Sequence, residues 1–156
     1  MLPDTKTLNL FEGISMTSAG TVFGTIDTYG FDYCQIDLMA GTGEAASTAV
    51  TTLRLCEDDT APTAYTDGDA VTQFVGAAAT STSAGFVLPA LSSTKKNIYR
   101  FNIDLRGRKR YLGLNFAPEK QTLGVAALAT LSRSEEDVAM STAATGSDGA
   151  RLIVSG

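Results

Sequence analysis

Histidine and tryptophan are absent from this chain of 156 residues, cysteine occurs twice and proline four times. Without histidine there is no Ser-His-Asp or Cys-His arrangement and no imidazole metal ligand, so the common hydrolytic constellations are excluded. No apolar run approaches a transmembrane length, and "MLPDTKTLNLFEG" lacks the basic start and apolar stretch of a secretory signal. The chain is therefore expected to be made and kept in a cytosol, or assembled from it. The two cysteines, Cys34 and Cys56, are expected as small buried apolar side chains rather than as a disulfide. Charge is sparse and the formal net charge is −5, so the molecule as a whole is no electrostatic match for nucleic acid or an anionic membrane.

What is abundant is Ala, Thr, Ser and Gly, a profile of sandwiches and barrels with polar turns. The length suits one domain with a core that folds without metal or disulfide support. Strand signals run through "TVFGTID", "FDYCQIDLM", "VTTLRLC", "AVTQFVG", "GFVLPAL", "NIYRFNIDL", "YLGLNF", "TLGVAALATLS" and "ARLIVSG", separated by turn-rich spacers. About eight short strands in this pattern predict an all-β fold, a single-domain antiparallel β-sandwich of jelly-roll type. "TLGVAALATLS" has the Ala and Leu of a helix, but Leu123, Val125, Ala127, Ala129 and Leu131 alternate, which favours a strand. "SRSEEDVAMSTAA" fits either one helical turn capped by Ser134 or a solvated loop.

Residues 1–20 show no clear period, and Gly13, Ser15, Thr17, Ser18 and Gly20 interrupt any helix. They read as an extended N-terminal arm before a β-sandwich domain of residues 21–156. The arm is either a frayed terminus or a segment whose Leu8, Leu10, Phe11, Ile14 and Met16 dock on a neighbouring subunit.

Two hairpins are predicted. In the first, "FDYCQIDLM" pairs with "TTLRLC", Ile36 opposite Leu53, which points Cys34 and Cys56 to opposite faces. In the second, Tyr99, Phe101, Ile103 and Leu105 share one face, and a loop of Gly107, Arg108, Lys109 and Arg110 sets Leu105 opposite Leu112, Ile103 opposite Leu114 and Phe101 opposite Phe116. The basic residues then sit at a hairpin tip. By base rate such a tip is a solvated turn that discourages edge pairing. Its opposite sign collects in "EDDTAPTAYTDGD", so basic tip and acidic loop are expected to complement each other between subunits or to meet a charged partner. Nucleic acid is not expected there, because no interleaved exposed aromatics and no known binding motif accompany the cluster.

Other chemistry is weak. "GTGEAAST" lacks the P-loop spacing and a surrounding βαβ unit. Glu57, Asp58, Asp59, Asp67 and Asp69 offer oxygen ligands, but their spacing does not match a calcium loop. No pair of carboxylates is marked out for glycoside hydrolysis. No enzyme activity, cofactor or metal is expected.

The apolar-bearing N-terminus together with "FDYCQIDLMAGTG", "TTLRLCEDDTAPTAYTD" and "IYRFNIDLRGRKRYLGLNF" resembles the small decoration, or cement, proteins encoded beside the major capsid protein in tailed bacteriophages. The likeness runs from about Thr21 to Leu131. It implies a sandwich or jelly-roll body that forms dimers or trimers with itself on the outside of a head, binds the major capsid protein and bridges capsomers, assembling in the host cytoplasm. The residue pattern marks interaction residues rather than catalytic ones: Leu8, Leu10, Phe11 and Ile14 on the arm, Arg106, Arg108, Lys109 and Arg110 as the basic contact, and Asp58, Asp59, Asp67 and Asp69 as its acidic counterpart. The alternative is a glycan- or ligand-binding β-sandwich, such as a phage fibre or lectin-like module, with Tyr29, Tyr33 and Tyr65 as candidate stacking rings.

Overall fold

The computed structural model describes residues 5–16, 20–41, 50–64, 66–71, 73–74, 77–81, 85–86, 96–118 and 123–133. These form strands β1 (Thr5–Met16), β2 (Val22–Asp27), β3 (Tyr33–Ala40), β4 (Val50–Asp58), β5 (Asp69–Ala70), β6 (Gln73–Phe74), β7 (Ala77–Ser81), β8 (Gly85–Phe86), β9 (Asn97–Asp104), β10 (Tyr111–Pro118) and β11 (Leu123–Ser132), with no helix among the described residues. "TLGVAALATLS" is a strand, as its alternation predicts. "SRSEEDVAMSTAA" beyond Arg133, "ARLIVSG" and most of "GFVLPAL" lie outside the described residues.

One sheet has the order β1-β11-β3-β9, and the other runs β2-β10-β4-β8-β7-β6 with β5 on β4. Pairing is antiparallel except between β4 and β8. Strands β1, β2, β3 and β4 alternate between the two sheets, and so do β9, β10 and β11. That double-crossing strand order is a jelly roll. The fold class expected from composition and periodicity is the one observed.

The alternation between sheets overturns both predicted hairpins. β3 pairs with β11 and β9, not with β4, while β4 pairs with β10. β9 and β10 lie in opposite sheets, so "RGRKR" belongs to a crossover between layers and not to a hairpin tip. The inward sets are nonetheless the expected ones: Phe101, Ile103 and Leu105 from one layer and Leu112, Leu114 and Phe116 from the other are buried in one core, with Tyr99 packed on it from a partly buried position. Alternation tells which face of a strand is apolar, and a sandwich offers two ways to satisfy it: beside a neighbour or across the core.

Thr5–Met16 is the outer strand of the first sheet, paired with β11 from Thr5 opposite Ser132 to Met16 opposite Leu123. Phe11 is 1% exposed and Met16 is buried, while Leu8 and Leu10 pack on the core from partly buried positions. Two register irregularities, between Asn9 and Phe11 and between Phe11 and Ile14, break the period, which is why the segment did not read as a strand. Gly24 of β2 lets β1 close over this side: a Cβ there would lie 3.0 Å from the Phe11 ring and 3.1 Å from the Leu10 Cβ.

Both cysteines are buried and free. Cys34 sits in the core between Ile103 of β9 and Leu131 of β11, and burial pushes its thiol up to about 12. Cys56 lies outside the main core cluster, beside Gly113 of β10, with its thiol donating to the Gly113 carbonyl at 3.6 Å. A Cβ on Gly113 would stand 2.7 Å from both the Cys56 sulfur and the Phe23 ring, so only glycine lets that ring lie over the strand.

Candidate functional site

The crossover from β9 to β10 carries Arg106, Arg108, Lys109 and Arg110 to one end of the sandwich, beside the β2–β3 turn and the end of β4. Gly107, at φ 81°, allows the tight turn in which the Arg108 amide donates to the Leu105 carbonyl at 3.0 Å. Each basic side chain then reaches a different element. Arg110 donates from Nε and Nη2 to the two Asp27 oxygens at 3.0 and 2.8 Å, tying β10 to the end of β2. Arg108 donates to the Asp104 carbonyl at 3.0 Å and to Glu57 of β4 at 3.3 Å. Lys109 pairs with Asp69 of β5 at 2.9 Å. Arg106 pairs with Asp104 at 2.8 Å.

Aromatic rings interleave with these cations. The Arg110 guanidinium lies between Tyr29, at 5.1 Å, and Tyr111, at 4.9 Å. Arg106 covers Tyr33 at 5.3 Å, and Arg133 covers Phe31 at 5.5 Å while donating to the Gly30 carbonyl at 2.6 Å. Thr28 fastens the turn below, its amide and its hydroxyl both donating to the Arg110 carbonyl. Tyr29 remains 77% exposed although its ring is stacked. One exposed aromatic, Tyr29, does interleave with the basic residues, against the expectation of none, while Phe31, Tyr33 and Tyr111 are half-buried. Tyr111 is next to Arg110 in sequence, whereas only the fold brings Tyr29, Phe31 and Tyr33 alongside. Arg106, Arg108 and Arg110 each face a carboxylate, so their charge is offset locally.

The acidic loop does meet the basic segment, but within one chain. Asp69 takes Lys109, and Asp58 and Asp59 add to the negative field on that ammonium. Asp58 also accepts the Thr60 amide at 3.2 Å, while Asp59 is exposed. Asp67 faces its own loop, accepting the Thr63 and Ala64 amides at 2.9 Å each and the Thr63 hydroxyl at 3.2 Å. Of the arm residues, Phe11 is core, Leu8 and Leu10 are partly buried, and Ile14 alone is largely open at 44%. Among the described residues no group of three or more Cys, Asp or Glu is placed to hold a metal ion.

Sequence reading missed Arg54. It occupies β4 on the face away from the main core, is 5% exposed, and donates to the carbonyls of Asp67 at 3.1 Å and Gly68 at 2.7 Å. The same loop is fastened again where Thr25 of β2 donates to the Pro62 carbonyl at 2.7 Å. The acidic loop is thus a lid folded onto the second sheet, and Lys109 grips its far end. An arginine within "TTLRLC" was the available signal, since a cation in an otherwise apolar strand needs carbonyl or carboxylate partners when covered.

Hydrogen bonds from Arg110, Arg106, Lys109 and the Thr63 amide hold Asp27, Asp104, Asp69 and Asp67 respectively below the ordinary carboxylate range. A lowered folded pKa gives stability that is complete above the unfolded value, about 4, and is lost as pH falls through and below it. The melting temperature is expected to stay level from about pH 7 to 5 and to decline below about pH 4, with the decline shrinking in high salt because the groups are largely exposed. Melting curves across pH at low and high salt check this; a melting temperature unchanged down to about pH 2.5 would contradict it.

No protein-family model matches the chain, and no curated protein matches it in sequence. In structure the chain is similar to the STIV MCP, with a TM-score of 0.38 and 11% identity, over 84% of this chain and 48% of that one. The chain thus spans about half the length of that protein. The jelly-roll assignment stands on the strand order itself.

Proposed function

We propose that this chain is a structural virion protein, a decoration or cement protein that oligomerises on the outside of a tailed-phage head and bridges its capsomers. The resemblance carried by residues 21–131 supports the reading, and the jelly-roll body agrees with the architecture it implies. The observation that carries most is Tyr29. Its ring is held on Arg110, which is itself held by Asp27, yet most of it faces solvent. An aromatic immobilised before binding loses little rotamer freedom on contact, which is how interface anchors behave. Many such contacts, weak per copy, lock a shell through avidity. The basic and acidic residues support the reading differently from a direct charge contact: they make the end of the sandwich rigid and so fix where Tyr29 stands.

Tyr29→Ala is expected to leave melting within about 1 °C of the parent, since an exposed surface truncation changes stability little. It should weaken saturable co-sedimentation with tailed-phage heads by at least about tenfold, one anchor's worth of contact energy. Arg108→Ala with Arg110→Ala is a poorer probe, because it also releases Glu57 and Asp27. Unaltered head binding by the Tyr29 variant would remove this anchor from the proposal, and binding of a soluble glycan without head binding would favour the lectin-like reading.

A further inference from the structure

The first sheet has two outer strands, and they differ. β1 is interrupted twice against β11, turns at Gly13 with φ 57°, and exposes Lys6 and Glu12. Bulges and charges of this kind protect an edge from pairing. β9 has neither interruption: Asn97 to Asp104 pair with β3 in one unbroken register. The Leu105 amide donates to the Asp32 carbonyl at 2.8 Å, which fixes the phase of that ladder. Asn97, Tyr99, Phe101 and Ile103 turn their backbone groups toward β3, so those of Ile98, Arg100 and Asn102 point out of the sheet. The Asp104 carbonyl is taken by Arg108, which ends the open stretch at the crossover.

We infer that the outer edge of β9 pairs antiparallel with β9 of a second copy about a two-fold axis at Phe101, joining two four-stranded sheets into one. This inference rests on the self-association half of the proposed function. The unbroken ladder suits a second copy of the same strand, and the side chains along it select the register. With the axis at Phe101, Arg100, held by Asp37 of its own sheet at 2.6 and 3.0 Å, lies opposite the uncharged Asn102 of the second copy. On the core-facing side Phe101 meets Phe101 and Tyr99 meets Ile103, so apolar positions stay aligned across the new ladder. Moving the axis to Arg100 sets that cation against itself, and moving it to Asn102 runs Ile98 into Arg106 of the crossover. Ile98, 66% exposed on the outer face, lies in this register opposite Asp104, at the end of the pairing.

Asn102→Pro tests this. Its amide points away from β3, so proline deletes no bond within the sheet while blocking strand addition. The parent is expected to dimerise in sedimentation velocity runs over a concentration series, and the variant, with an unchanged circular dichroism spectrum, to dimerise at least about tenfold more weakly. Backbone amide exchange on the parent gives a second readout that does not depend on the variant folding: protection at Ile98, Arg100 and Asn102 should rise with protein concentration while that at Phe101 and Ile103 stays constant. A parent that is monomeric throughout the series, a folded variant that dimerises like the parent, or a dimer without new protection at those amides overturns the inference. None of these measurements involves heads, so loss of the β9 contact and loss of the head-binding role are separately visible.

Discussion

Phe11→Ala is expected to lower the free energy of unfolding by about 3–5 kcal/mol, the usual range for deleting a fully buried ring. Phe11 is 1% exposed, belongs to the core cluster shared by both sheets, and touches the bare backbone of β2 at Gly24. Because whole domains are stable by only about 5–15 kcal/mol, the change should move the urea midpoint far to lower concentration. Ile14→Ala on the same strand is the control: at 44% exposure its loss should be within about 1 kcal/mol. The pair of variants separates two pictures of the N-terminal segment. A detached docking arm would tolerate both substitutions, whereas an outer strand that closes the sandwich tolerates only the second. An unchanged midpoint for Phe11→Ala would return the segment to the first picture.

The second large effect concerns the lid. Arg54→Met keeps the aliphatic stem of a buried side chain but removes the donors that hold the Asp67 and Gly68 carbonyls. Each such charge-assisted bond contributes about 1.5–3 kcal/mol, and the carbonyls left behind are only partly rewetted, so a total loss of about 2–4 kcal/mol is expected. Gly68 makes the lid intolerant of adjustment: it sits at φ 72°, and a Cβ there would lie 2.8 Å from the Glu57 carbonyl oxygen. The variant also has a local signature. Burial raises the pKa of the Cys56 thiol, on the strand that Arg54 occupies, and its sulfur lies under the Phe23 and Gly113 contact. Loosening the lid should make Cys56 react with a thiol reagent under native conditions while Cys34 stays inert in the core. Equal stability together with an unreactive Cys56 would mean that the lid is held by other contacts, such as Thr25 to Pro62.

What could be read from the residues was the face of each strand; what could not was the sheet to which it belongs. Ile36 and Leu38 of β3, like Leu53 and Leu55 of β4, alternate as a hairpin would, and they do point into one core, but from opposite layers. Local pattern carries no information on that choice, which is made by which partners complete each ladder. Within β1, Leu8 and Phe11 both face inward although three positions apart, because an irregular register intervenes. A period-2 reading cannot follow a bulge. The candidate site was half legible for a similar reason. Lys109 meets Asp69 of the acidic loop within one chain, whereas Arg110 and Asp27 are 83 positions apart and meet only because β10 lies beside β2. Opposite charges in one small domain are a cue that does not say whether a pair forms within the chain, as these do, or across an interface. Of the two rings on Arg110, Tyr111 is its neighbour in sequence, while Tyr29 reaches it only through the fold.

The proposed function is that this jelly roll reinforces a phage head from outside. The most direct measurement is the temperature at which packaged DNA escapes from heads lacking the protein, followed by a nucleic-acid dye, with and without the full chain added back. The account predicts that saturating protein raises the release temperature by several degrees, with the rise following occupancy of the head surface. Heads that bind the protein to saturation yet release DNA at the same temperature would contradict a cement role, and heads that take up none would contradict the structural virion assignment itself.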